Sequence, residues 1–88
     1  MNVDFKASFV KDLRKIRERD LKRRVAAAIE RIEQAKDLGE MGNMRKLKGS
    51  DRYYRIKIGD YRIGVTVDDD LVTFVRFLHR KDIYRYFP

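Results

Sequence analysis

The chain contains no cysteine, which excludes disulfides, thiolate-held zinc and a thiol nucleophile, and fits a reducing compartment. It has one proline and five glycines, with 43% hydrophobic and 41% charged residues, a balance that excludes a disordered tail and describes a compact, well-solvated globule. Long apolar runs are also missing. The N-terminal stretch MNVDFKASFVKDLRKI carries charges every few residues and has neither the apolar core of a signal peptide nor the length of a membrane span. A cytoplasmic protein with no membrane partner is the expectation. Histidine occurs once, at His79, the only side chain whose ordinary titration range lies near neutrality.

Positive charge is what the chain has in excess. Twenty-two Lys and Arg stand against fourteen Asp and Glu, for a net charge of +8 that favours a polyanionic partner. Residues 45–62 hold seven basic and two acidic groups, so the whole excess of the second half lies in KLKGSDRYYRIKIGDYR and the arginine before it. Eighty-eight residues suffice for one domain, residues 1–88, with most apolar positions committed to its core.

Periodicity orders the chain. Residues 2–5 alternate, with Val3 and Phe5 on one face of a short first strand. Phe9, Val10, Leu13 and Ile16 form a helical stripe. Four charged residues at 17–20 interrupt it, and Asp20 stands where it can cap a second helix whose apolar face is Leu21, Val25, Ala28, Ile29, Ile32 and Ala35. Gly39 suits the left-handed residue that ends such a helix. Residues 39–44 read as a loop. The period then changes to two: Tyr54, Ile56 and Ile58 face one way, and Tyr53, Arg55 and Lys57 the other. Gly59-Asp60 is a two-residue turn into YRIGVTV, and residues 67–70 make a second turn into LVTFVRFLHR, apolar on both faces and read as a central, doubly covered strand. Residues 81–88 read as a tail or a short helix. The fold class expected is α+β: an N-terminal strand, a helix hairpin, then an antiparallel sheet, in the order β-α-α-β-β-β.

On the face away from the helices the turn brings Arg62 beside Lys57 and Arg55. Cross-strand Cβ atoms are about 5 Å apart, so these like charges repel, a cost best tolerated when an anion such as phosphate lies among them. A basic face that is merely solvated gives the same pattern. Arg76, Arg80 and Lys81 add charge, and Tyr53, Tyr84 and Tyr86 offer rings for stacking on bases. Tyr54 and Tyr61 share the apolar parity and belong with the core.

The run KLKG at 46–49, YYRIKIGDYRIGV at 53–65 and FLHRKDIYR at 77–85 together resemble the RelE/ParE superfamily of bacterial toxins, in its RelE-like branch, along essentially the whole chain. The resemblance implies a type II toxin that is an endoribonuclease, cutting mRNA in the ribosomal A site and silenced by a cognate antitoxin. Its chemistry needs no metal and no cofactor: the 2′-hydroxyl of the substrate attacks the adjacent phosphate, leaving a cyclic phosphate. Carried over by position, Arg62 grips the scissile phosphate and Lys57 stabilises the transition state. Arg80 is a phosphate ligand or proton donor, and Tyr84 stacks on or orients a base. Arg55, Lys46, Lys48, Arg76, Lys81 and Tyr53 complete the expected RNA-binding set.

Two positions depart from the family pattern. Leu78 stands where a glycine is usual, and Arg55 stands where relatives carry a lysine proposed as the general base. A guanidinium cannot accept that proton, so the role falls to His79 or to Lys57. Two alternatives accompany this reading: a ParE-like toxin acting on DNA gyrase, and a non-catalytic module for RNA or the ribosome.

Overall fold

Alternation and turn chemistry build the sheet much as the sequence suggests. The computed structural model describes residues 1–88. Strand β1 is Asn2–Phe5, followed by helices α1, Ala7–Arg14, and α2, Arg19–Gln34, and by a single 3₁₀ turn at Leu38–Glu40. Strands β2, Met44–Lys46, β3, Tyr53–Ile58, β4, Tyr61–Asp68, and β5, Leu71–His79, come next, and helix α3, Arg80–Tyr86, ends the order. The strands lie side by side as β1-β5-β4-β3-β2. Gly59, at φ +58°, supplies the left-handed position of the β3–β4 turn, and Asp69, at φ 52°, does so between β4 and β5.

Three features depart from the sequence reading. The sheet is mixed, because β1 pairs in parallel with the first half of β5, Asn2 opposite Leu71 through Phe5 opposite Phe74. A fifth strand, β2, arises where the loop of residues 39–44 gives way to KLKG and pairs with β3. Strand β4 is central, and β5 lies next to the edge strand β1.

Helix α2 buries Leu21, Val25, Ala28 and Ile32 as its spacing requires, while α1 seats Phe9 and leaves Val10 exposed. They meet Ile56, Ile58, Ile63, Val65, Val72, Phe74 and Phe77 from the sheet in one apolar core. Two helix-end expectations are corrected. Glu18 occupies the N-cap of α2 without a side-chain bond, and Asp20 sits inside the first turn, where a carboxylate favours the positive end of the helix. Gly39 belongs to the 3₁₀ turn. The last carbonyls of α2 are instead met by the Met1 ammonium, which donates to Ile32, Glu33 and Ala35 oxygens at 3.2, 2.9 and 2.9 Å.

The second sheet face is not left bare. Helix α3 lies across it, burying Ile83 and, just beyond its end, Phe87. Phe87 fits because residue 64 is glycine: a Cβ there would stand 2.6 Å from the ring. Tyr53 meets the same ring edge-on, with centroids 5.6 Å apart. Gly64→Ala is therefore expected to destabilise the fold by about 1–3 kcal/mol, the usual cost of overpacking, as measured by urea unfolding. An unchanged midpoint would show that Phe87 is not fixed there.

Candidate functional site

The β3–β4 register sets the geometry. Lys57 is directly opposite Arg62, Arg55 is opposite Gly64, and on the other side of β3 Arg45 is opposite Arg55. These residues open onto a groove of about 660 Å³ lined by Gly42, Asn43, Arg45, Lys46, Leu47, Lys48, Arg55, Lys57, Arg62 and Tyr84. Six lysines and arginines and no carboxylate line it, so the groove attracts anions along its whole length.

Arg62 is held by the turn beside it. Its Nη1 donates to the Gly59 and Tyr61 carbonyls at 2.8 and 2.9 Å, leaving Nε and Nη2 to bind a ligand. Arg24, from α2, closes on the same turn, its Nη1 only 2.9 Å from where a Cβ on Gly59 would stand. The exposed side chain of Lys57 stands on a backbone that Asn43 pins twice, by accepting from Lys57 N–H at 3.0 Å and by donating from Nδ2 to the Lys57 carbonyl at 3.1 Å. At the far wall the Arg55 guanidinium carbon lies 4.2 Å from the centre of the Tyr84 ring.

Of the residues singled out in the sequence, the groove gathers Lys46, Lys48, Arg55, Lys57, Arg62 and Tyr84. The others are not among its lining residues. Tyr53 packs on Phe87, and Arg80 and Lys81 are exposed at the start of α3, where Arg80 N–H donates to the Asp60 carbonyl at 2.8 Å. His79 caps α3, its Nδ1 accepting from Lys81 N–H at 3.1 Å. With Arg76 it lines a separate hollow bounded also by Asp12, Tyr61 and Tyr86. Sequence reasoning passed over Arg45, Asn43 and Arg24. Arg45 at least lay within the counted basic stretch, but a three-residue strand gives no period from which to read its face.

Arg76 is committed to Asp12. Its Nε and Nη2 donate to the carboxylate at 2.7 and 3.1 Å, and that hydrogen bond holds the guanidinium proton above the ordinary arginine range against the opposing effect of burial. The same carboxylate accepts from Phe77 N–H at 3.0 Å, and Ser8 Oγ donates to the Val75 carbonyl at 2.6 Å. Strand β1 ends at Phe5, opposite Phe74, so α1 supplies by side chain the partners that the rest of the β5 edge lacks. The register of β5 against β4 slips between Gly64 and Val65, skipping Val75 at this junction.

Comparison with known proteins places these observations. Residues 3–84 match the family described as ParE toxin of type II toxin-antitoxin system, parDE. The chain is 42% identical over 89 residues to Toxin RelE3 of Methanocaldococcus jannaschii, covering all of both chains. Its fold is similar to that in the crystal structure of the RelB-RelE antitoxin-toxin complex from Methanococcus jannaschii, with a TM-score of 0.81, 40% identity and coverage of 97% of this chain and 99% of that one. A RelE-RelB complex from Pyrococcus horikoshii shares the fold at a TM-score of 0.73 and 24% identity, over 90% and 93% of the two chains.

Proposed function

Because the chain belongs to the ParE toxin family of type II toxin-antitoxin systems, as a toxin of its RelE-like branch, we propose that it cleaves messenger RNA at the sheet-face groove, in the ribosomal A site, and is held silent by a cognate antitoxin. The observation that carries this reading is the facing pair Lys57 and Arg62 inside a groove whose charged lining is all cationic.

The chemistry follows from what these side chains can do. The 2′-hydroxyl of the substrate loses its proton and attacks the adjacent phosphorus, charge builds on the phosphorane oxygens, and the 5′-oxygen of the next nucleotide leaves with a proton. The products are a cyclic phosphate and a free 5′-hydroxyl. Arg62, prepositioned by two carbonyls, meets the phosphorane charge without reorganising. Lys57, directly across the strand pair from Arg62, holds the neighbouring oxygen and, as the lysine facing that arginine, serves as the proton-transfer group, a role the arginines cannot fill. Arg45, Lys46 and Lys48 extend the track along the RNA backbone. Tyr84 supplies a ring for a base.

The reading is tested by adding the purified protein to ribosomes translating a defined message and mapping the fragment ends. Cuts within translated codons, ending in cyclic phosphate, are expected. An intact message alongside plasmid linearised in the presence of gyrase would replace this reading with the gyrase one. Binding to RNA without cutting would leave only a binding module.

His79 separates two routes for the proton. Its Nδ1 is occupied in capping α3 and its ring packs edge-on to Tyr61, with centroids 5.5 Å apart. His79→Ala is expected to lower thermal stability through the lost cap, worth about 1 kcal/mol. The pH–rate profile should keep its shape. A lost acidic or neutral limb in the variant would give His79 the proton-transfer role.

A further inference from the structure

Arg55, like Arg45 in the same groove, makes no hydrogen bond through its guanidinium that could fix it. Its Nε is shut off from solvent and has no acceptor within the protein, in contrast to the doubly held Arg62. Such a donor normally finds a partner, so something else sets the plane of this group. Gly64, opposite on β4, offers no side chain, and Arg45, opposite on β2, carries the same charge. The contact that remains is the Tyr84 ring at 4.2 Å.

Tyr84 has the converse problem. It is 69% exposed, and α3 is anchored through Ile83 and Phe87, neither of which restrains a tyrosine on the helix surface. An exposed ring samples its staggered positions freely unless a contact selects one. The guanidinium beside it makes that selection. It covers one face of the ring, draws on the ring's electron density and leaves the other face to solvent.

We propose that Arg55 is a positioning residue: by stacking on Tyr84 it fixes that ring at the groove wall as a platform for an unpaired RNA base next to the phosphate held by Arg62. The inference rests on the reading of the groove as an RNA-cleaving site, in which Tyr84 offers a ring to a base, and adds what holds that ring in place. Any base has a face to offer, so the platform selects single-stranded RNA over a paired helix without selecting a sequence. Arg55 thus contributes through the ring and not through proton transfer, which a guanidinium cannot perform.

A double-mutant cycle on cleavage of a ribosome-bound message tests this. Arg55→Met, which loses the guanidinium plane without introducing the lysine that relatives carry there, and Tyr84→Leu should each lower kcat about tenfold, the order of one lost base stack. Combined, they should fall no further than Tyr84→Leu alone. In a Tyr84→Phe background, where the ring survives, Arg55→Met should still have its full effect. In parallel, the Arg55 side-chain protons should lose their ring-current shift in Tyr84→Leu while core amide shifts stay in place, which separates this effect from misfolding. Independent, multiplying effects of the two changes, or Arg55 protons indifferent to Tyr84→Leu, would overturn the proposal. A wild-type protein that leaves the message whole overturns the underlying reading and the proposal with it. That result is distinct from an active wild type matched by Arg55→Met, which overturns the proposal alone.

Discussion

Arg62→Ala is expected to reduce message cleavage about a hundred- to a thousandfold in kcat, the range seen when one preorganised donor to a developing oxyanion is removed. The size of the effect comes from how Arg62 is held. The Gly59 and Tyr61 carbonyls grip Nη1, which leaves the remaining donors of this groove-lining arginine free before any RNA arrives. A group already in place spends nothing on reorientation as the phosphorane forms. Arg62→Lys should recover only part of the loss, because an ammonium offers a point charge where the guanidinium offers a fork matched to phosphate. Single-turnover cleavage of a ribosome-bound message gives the number, and circular dichroism confirms that the variant is folded. A reduction below about threefold would place the phosphate elsewhere in the groove.

Asp12→Ala is expected to remove about 3–5 kcal/mol of stability, the cost of breaking a largely buried charge pair from one side. Asp12 is 5% exposed, and its carboxylate accepts three hydrogen bonds. Truncation leaves the Phe77 N–H without an acceptor at the β5 edge and Arg76 without its counter-charge. For a domain whose whole stability is about 5–15 kcal/mol, this loss brings the variant close to unfolding at physiological temperature. Asp12→Asn, which keeps an acceptor for Phe77, should lose less. The sign of the pH dependence follows from the raised Arg76 titration: a proton bound more tightly in the folded state stabilises it below the unfolded arginine's range, and that contribution fades only in strong alkali. Urea unfolding near neutral pH therefore reads the pair at full strength. A loss under about 1 kcal/mol would mean that α1 is held to β5 by its apolar contacts alone.

The parts of the fold that were legible in the sequence are those that rest on local chemistry. Gly59-Asp60 determines the β3–β4 turn, that turn places Lys57 across from Arg62, and the heart of the groove follows from those two facts. The α2 stripe was legible for the same reason, each buried residue recurring at helical spacing. What was not legible depends on distant partners. The parallel pairing of β1 with β5 brings together residues some seventy positions apart. A carboxylate on α1 reads as a solvated charge until the bare edge of β5 is seen to need it. Strand β2 is too short to show a period, so Arg45 and Asn43 joined the groove unannounced. That Arg76, His79, Arg80 and Lys81 are not among the groove's lining residues depends on β5 and on α3, whose seat on the sheet is fixed by Ile83 and by Phe87 over Gly64.

The central claim is that a cationic groove on the sheet face holds an RNA phosphate while the neighbouring 2′-hydroxyl attacks it. The most direct measurement replaces a single ribose at the cut position of a ribosome-bound message with deoxyribose and follows cleavage at that phosphate. The substituted message is expected to bind still, to depend on Arg62 for binding, and to stay whole at that position. Cleavage there at the rate of the all-ribose message would contradict the central claim.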